Sequence, residues 1–357
     1  MKKQVWGIGT LAMDVLMKVD TLPKEDGFCM VESTEHQPGG SGTNVMVQMA
    51  RLGAACGYTG AVGDDKLGQC VLESLRQEKI DIEHMKIKPG KVTLHTEIVV
   101  DRTGAKFIML NMGDAFGALK QEEIPQEEIE SCEVYYTDLL PKEPALAGLI
   151  AAKKAGVTTA FNMQVGLETM EGLGFSKQEI LDALAYVDIF APCAEGLYAL
   201  TGTQDLEACV QILRPYCKGI FLFTQGSKGS VAFDKSDRKI TIPSKKIQVV
   251  DTTGAGDSYM GSFLFSYCLK KKGLKASMEF ATTCAAYTCT GMGARFSPTW
   301  QEVAAAGTLP AGTAAAARIC RPRPAAGSVS APRAALSPWC CWPSSCWACW
   351  SGPGRWG

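Results

Sequence analysis

Short apolar runs alternate along this chain with longer stretches in which apolar residues return every three or four positions. Residues 4–9 form the first run and read as a buried strand; residues 44–52 follow with Val45, Met49 and Leu52 on one helical face. The same alternation predicts helices over 67–79, 146–155, 177–185 and 205–216, and strands over 133–138, 158–162, 189–191 and 219–224. A strand pair over 230–233 and 239–242 and two helices over 258–271 and 278–290 complete the pattern. Alternation of this kind predicts an α/β fold with a mostly parallel sheet covered by helices on both faces.

Two stretches break the rhythm. Segments 15–19 with 28–35, and 93–100 with 106–110, are β-rich without helices between them, and Asp101-Arg102-Thr103-Gly104 supplies a hairpin turn. They predict a small accessory sheet, drawn from 15–36 and 92–111, placed as a lid over a site at the carboxyl ends of the parallel strands. A lid sheet has unpaired edges, and pairing with a second copy as a homodimer would cover one of them.

Composition changes the picture only near the end. Residues 304–357 contain no Asp, Glu, Lys, Asn, Gln, His, Phe, Tyr or Met, yet hold five of the seven tryptophans and five of the fifteen cysteines. This is the vocabulary of GC-rich codons read without selection for folding, and it predicts a low-complexity tail that is disordered or frameshifted. A zinc knuckle on Cys340, Cys341, Cys346 and Cys349 would be the alternative, but no His or acidic residue surrounds them. Residues 1–303 are therefore expected to form the working domain. Without the five tail arginines, 31 of the 36 basic residues face 37 acidic ones, a net of −6.

That balance gives no attraction to nucleic acid or to an anionic membrane, and a small-molecule partner is expected instead. No run of apolar residues is long enough to span a bilayer and no secretory leader opens the sequence, so the cytoplasm is the expected location. The ten cysteines before residue 304 show no paired spacing and read as reduced, mostly buried thiols. With three histidines, His36, His84 and His95, there is little material for a histidine-based zinc site.

The strongest chemical signal is Asp251-Thr252-Thr253-Gly254-Ala255-Gly256-Asp257, running into a helix-compatible segment. The Gly-Ala-Gly stretch lets backbone approach a ligand, and a helix beginning at Asp257 would aim its free N–H groups at an anion such as a phosphate. Asp257 could then accept the proton of an attacking hydroxyl. A glycine turn capped by an aspartate is the bland reading. Two competing nucleotide motifs fail: Gly7, Gly9 and Ala12 have the spacing of a dinucleotide fingerprint but lead into a strand, and the Gly90-Lys91 pair lies outside any P-loop pattern.

The segment around Asp257 resembles the C-terminal signature of the ribokinase-like (PfkB) family of carbohydrate and nucleoside kinases. Further segments match the family in order. Pro38-Gly39-Gly40-Ser41-Gly42-Thr43-Asn44 is similar to its di-glycine signature, and Gly60-Ala61-Val62-Gly63-Asp64-Asp65 to the segment after it. Thr224-Gln225-Gly226-Ser227-Lys228-Gly229 resembles its nucleotide loop, and Gly293-Ala294-Arg295-Phe296-Ser297-Pro298 its closing segment.

The resemblance implies a ribokinase-like fold and an ATP-dependent kinase acting on a hydroxyl of a pentose, hexose or ketose. A nucleoside kinase of the same fold and an inactive sugar- or nucleotide-binding protein are the alternatives. It implies Asp257 as base, an anion hole at Gly254, Ala255 and Gly256, and substrate contacts from Asp14, Gly39, Gly40 and Asn44. Thr224, Gly226, Gly229 and Thr282 would face the nucleotide, with Thr282 standing where many members carry Asn. For metals, it implies Mg²⁺ with ATP and K⁺ near Asp251, Thr253, Gly293 and Ser297, although those four would serve equally as braces of the loop. The family's Asn and Glu three residues apart are replaced here by Cys193 and by Glu195, an acid shifted by one position.

Overall fold

The computed structural model describes residues 2–306. Nearly all of the expected tail lies outside the described residues, and its first three residues continue the helix Trp300–Ala306. The first strands are β1 (Val5–Ile8), β2 (Ala12–Val19), β3 (Val31–Gly39), β4 (Cys56–Thr59), β5 (Ala61–Gly63) and β6 (Lys86–Lys88). They are followed by β7 (His95–Val100), β8 (Lys106–Asn111), β9 (Val134–Thr137), β10 (Thr158–Phe161) and β11 (Ile189–Phe190). The last three are β12 (Ile220–Thr224), β13 (Ser230–Phe233) and β14 (Lys239–Ile242).

The main sheet has eight strands in the order β14-β13-β12-β11-β10-β9-β1-β4, parallel from β4 to β12 and antiparallel at β13 and β14. β1, β4 and β9 are buried at every position, as expected of strands covered on both faces. Phe161, Phe190 and Phe221 line one face on neighbouring strands with ring centroids 5.2 and 6.3 Å apart. Burial of each ring is worth about 2 kcal/mol.

β4 was not legible in the pattern, because Gly57 at its centre reads as a breaker. In the fold that glycine leaves room for Trp6, whose ring a Cβ at position 57 would strike, while the Trp6 indole donates to Thr59 Oγ1 at 3.0 Å. Packing decides for a strand where local propensity would not.

The expected accessory sheet forms in the order β3-β2-β7-β8, with β2 and β7 parallel and the outer pairs antiparallel. The β7–β8 turn is held by Asp101, whose carboxylate accepts from the Thr103 amide at 2.8 Å and the Ala105 amide at 3.1 Å. β2 begins at Ala12, earlier than the pattern suggests, because Ala12 and Met13 pair with Gly39 and Pro38. Asp14 therefore sits inside a lid strand and not in a loop after β1.

Two helices bring the distant ends of the chain together. Ser41–Arg51 crosses Ala255–Leu264 at Gly261, where an added Cβ would lie 2.6 Å from the Val45 carbonyl oxygen. The small residue sets how close the two backbones come.

Candidate active site

The chain after β1, β9, β10 and β11 leaves the main sheet at one end, which is where Thr10, Asp138, Asn162, Gln164 and Cys193 lie. The sheet order reverses around β1, since β4 lies on one side and β9 on the other. A crevice at such a switch point is the usual ligand site of an open α/β sheet.

Asp257 comes into this crevice on the helix Ala255–Leu264. The helix starts two residues before the expected Asp257, with Gly254 as its cap at φ 74°, a left-handed conformation in which glycine carries no penalty. The Ala255 amide is bonded back to the Thr252 carbonyl at 3.2 Å. Among the described residues no backbone acceptor takes the amides of Gly254, Gly256 and Asp257, so those three are the donors available to an anion, while the expected Ala255 amide is already taken.

The Asp257 side chain is buried, and each oxygen meets an amide donor. Asn44 Nδ2 donates to Oδ2 at 2.9 Å and Gln164 Nε2 to Oδ1 at 3.3 Å. Burial pushes the carboxyl up to about 6; the bonds from Asn44 and Ser41 pull it down, the charge of Asp138 pushes it up, and Arg295 pulls it down. Asn44 is thus turned toward the carboxylate. Its carbonyl oxygen accepts from Arg295 Nε at 3.0 Å, which leaves one amide hydrogen for a ligand, fewer contacts than the sequence suggested.

Asp14 faces the same crevice from the lid. Thr96 Oγ1 donates to its Oδ1, and its Oδ2 would be 2.7 Å from a Cβ on Gly39, so the di-glycine turn lies directly against the carboxylate. Burial raises the Asp14 carboxyl, with the Thr96 bond and Arg295 opposing. Gly40 caps the helix Ser41–Arg51, and the Thr43 amide donates to the Thr10 carbonyl at 3.2 Å.

The sequence reading missed Asp138. Its carboxylate accepts from the Thr10 amide at 2.8 Å and the Leu140 amide at 3.1 Å, and burial pushes it up to about 6. The available signal was a carboxylate closing a predicted buried strand. Gln164 and Arg295 carried no such signal, since neither ends a periodic element.

The family model for pfkB family carbohydrate kinases matches residues 2–301. The chain belongs to that family. It is similar to an ATP-dependent ribose-1-phosphate kinase of Halopiger xanaduensis, 28% identical over 85% of this chain and 97% of the relative. It is also similar to a fructokinase of Klebsiella pneumoniae, 26% identical over 82% and 95%. A ribokinase of Arabidopsis thaliana, solved with ribose and ATP, has the same fold with a TM-score of 0.73 at 22% identity, covering 87% of this chain and all of that one. As a pfkB carbohydrate kinase the protein is a phosphotransferase that uses ATP and acts on an alcohol group of a sugar.

In this pfkB kinase the remaining expected residues fall in two groups. Thr224 ends β12, and Gly226 and Gly229 flank the tight turn into β13. Thr282 lies buried on the helix Leu274–Thr288, its hydroxyl donating to the Met278 carbonyl at 2.8 Å. The Tyr259 hydroxyl donates to Ser230 Oγ at 2.8 Å, and Thr288 Oγ1 to Ser258 Oγ at 2.8 Å. Side chains of the Asp257 helix thereby tie it to β13 and to the helix carrying Thr282.

The second group is the metal side. Asp251 Oδ1 accepts from the Thr253 amide at 3.0 Å and hydroxyl at 2.7 Å, and Oδ2 from the Gly293 amide at 2.9 Å, which is the bracing arrangement. Ser297 is buried, with Arg51 donating to its carbonyl at 2.8 Å. Cys193 caps the helix Ala194–Thr201 by accepting from the Gly196 amide at 3.3 Å. Glu195 is exposed and lies against Gly166. A side chain at Gly196 would meet the Met163 methyl at 2.8 Å, so Met163 fills the space one residue beyond Glu195. Among the described residues no three His, Cys, Asp or Glu gather to hold a metal. No helix among them is long and apolar enough to cross a membrane.

Proposed function

We propose that Asp257 is the general base of sugar phosphorylation. It accepts the proton of the substrate hydroxyl while that oxygen bonds to the terminal phosphorus of ATP and the bond to the ADP oxygen breaks. The amides of Gly254, Gly256 and Asp257, at the positive end of the helix, would stabilise the charge on the transferring group. The observation that carries this is the buried Asp257 carboxylate, clasped by two amide donors at the mouth of a glycine-capped helix. Replacement by asparagine tests it: the variant should bind nucleotide and fail to turn over, and a near-normal rate would refute the assignment.

Asp14, Gly39, Gly40 and Asn44 would orient the sugar between lid and body. The names of the relatives support a pentose or ketohexose as substrate. A panel of pentoses, hexoses, ketoses and nucleosides with ATP would separate this from the nucleoside-kinase reading. Thr224, Gly226, Gly229 and Thr282 would line the nucleotide side.

Mg²⁺ would arrive with ATP, neutralising phosphate charge, and Glu195 would act on it through water. The donor set fits such a loosely held ion better than a protein-bound one. K⁺ fits less well, because both Asp251 oxygens already accept backbone bonds. Cys56, Cys132, Cys209, Cys217, Cys268 and Cys284 are buried free thiols, which supports a reducing, cytoplasmic setting. We also propose a homodimer through the lid: β8 is an edge strand on which Phe107, Ile108, Met109 and Leu110 are all exposed.

A further inference from the structure

The guanidinium of Arg295 makes four hydrogen bonds with one helix start and its neighbour. Nε donates to Asn44 Oδ1 at 3.0 Å, one terminal nitrogen to Ser74 Oγ at 3.1 Å, and the other to Thr43 Oγ1 at 2.9 Å and the Gly39 carbonyl at 3.3 Å. Its backbone is held as well. Arg51 donates to the Arg295 carbonyl, and the ring of the next residue, Phe296, stacks on Tyr287 with centroids 5.5 Å apart. A planar fork fixed at four points cannot turn without breaking most of them.

Asn44 stands between this fork and Asp257. A side-chain amide has a donor end and an acceptor end of nearly equal shape, and only its surroundings decide which way it faces. With the oxygen toward Asp257, two acceptors would oppose each other in a buried site. We propose that Arg295 is a positioning residue of phosphoryl transfer: by occupying the Asn44 carbonyl it commits the Asn44 nitrogen to Asp257. It acts through Asn44, from 251 residues away in sequence, and does not itself touch the reacting atoms.

The other groups facing Asp257 are Ser41 on the same helix as Asn44, Gln164 beyond β10, and Asp138 and Tyr136 at the end of β9. None of these bonds to the Asn44 oxygen, so none can replace the arginine in orienting the amide.

The inference rests on Asp257 being the base, and the test separates the two. The pH dependence of kcat/KM is measured for the wild type, Arg295→Lys, Asn44→Ala, the double variant and Ser74→Ala, together with nucleotide affinity. Arg295→Lys keeps the charge and loses the fork. Its acid limb should move up by about one pH unit, a roughly tenfold loss on the acid side that recovers toward alkaline pH. Asn44→Ala should move the limb similarly, the double variant no further, and Ser74→Ala not at all. A uniform loss at all pH in Arg295→Lys, additive shifts in the double variant, or an equal shift in Ser74→Ala would overturn the proposal. If the lysine variant does not fold, Arg295→Gln enters the same cycle with the same criteria. A near-normal rate in Asp257→Asn would instead remove the base assignment.

Discussion

Asn44 and Asp257, 213 residues apart in sequence, meet through a buried hydrogen bond of 2.9 Å from the Asn44 amide to the carboxylate. The bond joins the di-glycine segment to the glycine-capped helix, and everything proposed about the chemistry depends on that junction.

Removing the carboxylate should be the most damaging single change. Asp257→Asn is expected to lower kcat by about 10²–10⁴-fold, the range for loss of a general base, with ATP affinity measured by calorimetry little altered.

The pH profile follows from burial. With its carboxyl pushed up to about 6, Asp257 accepts a proton only above that pH, and kcat/KM should fall as pH drops through about 6. Asp138→Asn removes a negative neighbour that raises this value, so the acid limb should move to lower pH. The same change leaves an amide nitrogen facing the Thr10 or Leu140 N–H, and the melting temperature should fall.

Gly261→Ala places a methyl group 2.6 Å from the Val45 carbonyl oxygen. The two helices must separate, at a cost of about 1–3 kcal/mol in denaturant unfolding. Turnover should drop with stability, because the separation lengthens the Asn44 to Asp257 bond; unchanged turnover would show that the crossing does not set the site.

The lid dimer predicts that charge on β8 gives monomers. Ile108→Lys with Leu110→Lys should halve the mass seen by light scattering and leave the melting temperature of the body within about 2 °C, since both residues are exposed in the single chain.

A chain ending at Ala306 should fold and retain kinase activity if residues 304–357 are a frameshifted tail, as their composition suggests. An intact reading frame through residue 357 on resequencing would count against that origin.

How much of this was legible beforehand differs by element. Except for β4, the parallel strands of the main sheet and the antiparallel pair 230–233 with 239–242 were readable because apolar runs without helical period have few other folded uses, and the structure places that pair at the same residues. The helices Leu167–Gly172 and Ala194–Thr201 were not, being short and glycine-bounded, with too few turns to show a period.

The candidate site divides in the same way. By itself the sequence determined the α/β class, the lid segments, and Asp257 with its glycine turn, because backbone geometry and apolar spacing are local properties written into consecutive residues. Only the tertiary structure decided that Asn44 donates to Asp257, that Arg295 holds Asn44, and that Asp138 lies buried beside them. Those relationships depend on which carbonyl, amide and charge are brought within 3 Å across the helix crossing and the sheet switch point, and no spacing along the chain encodes such a distance.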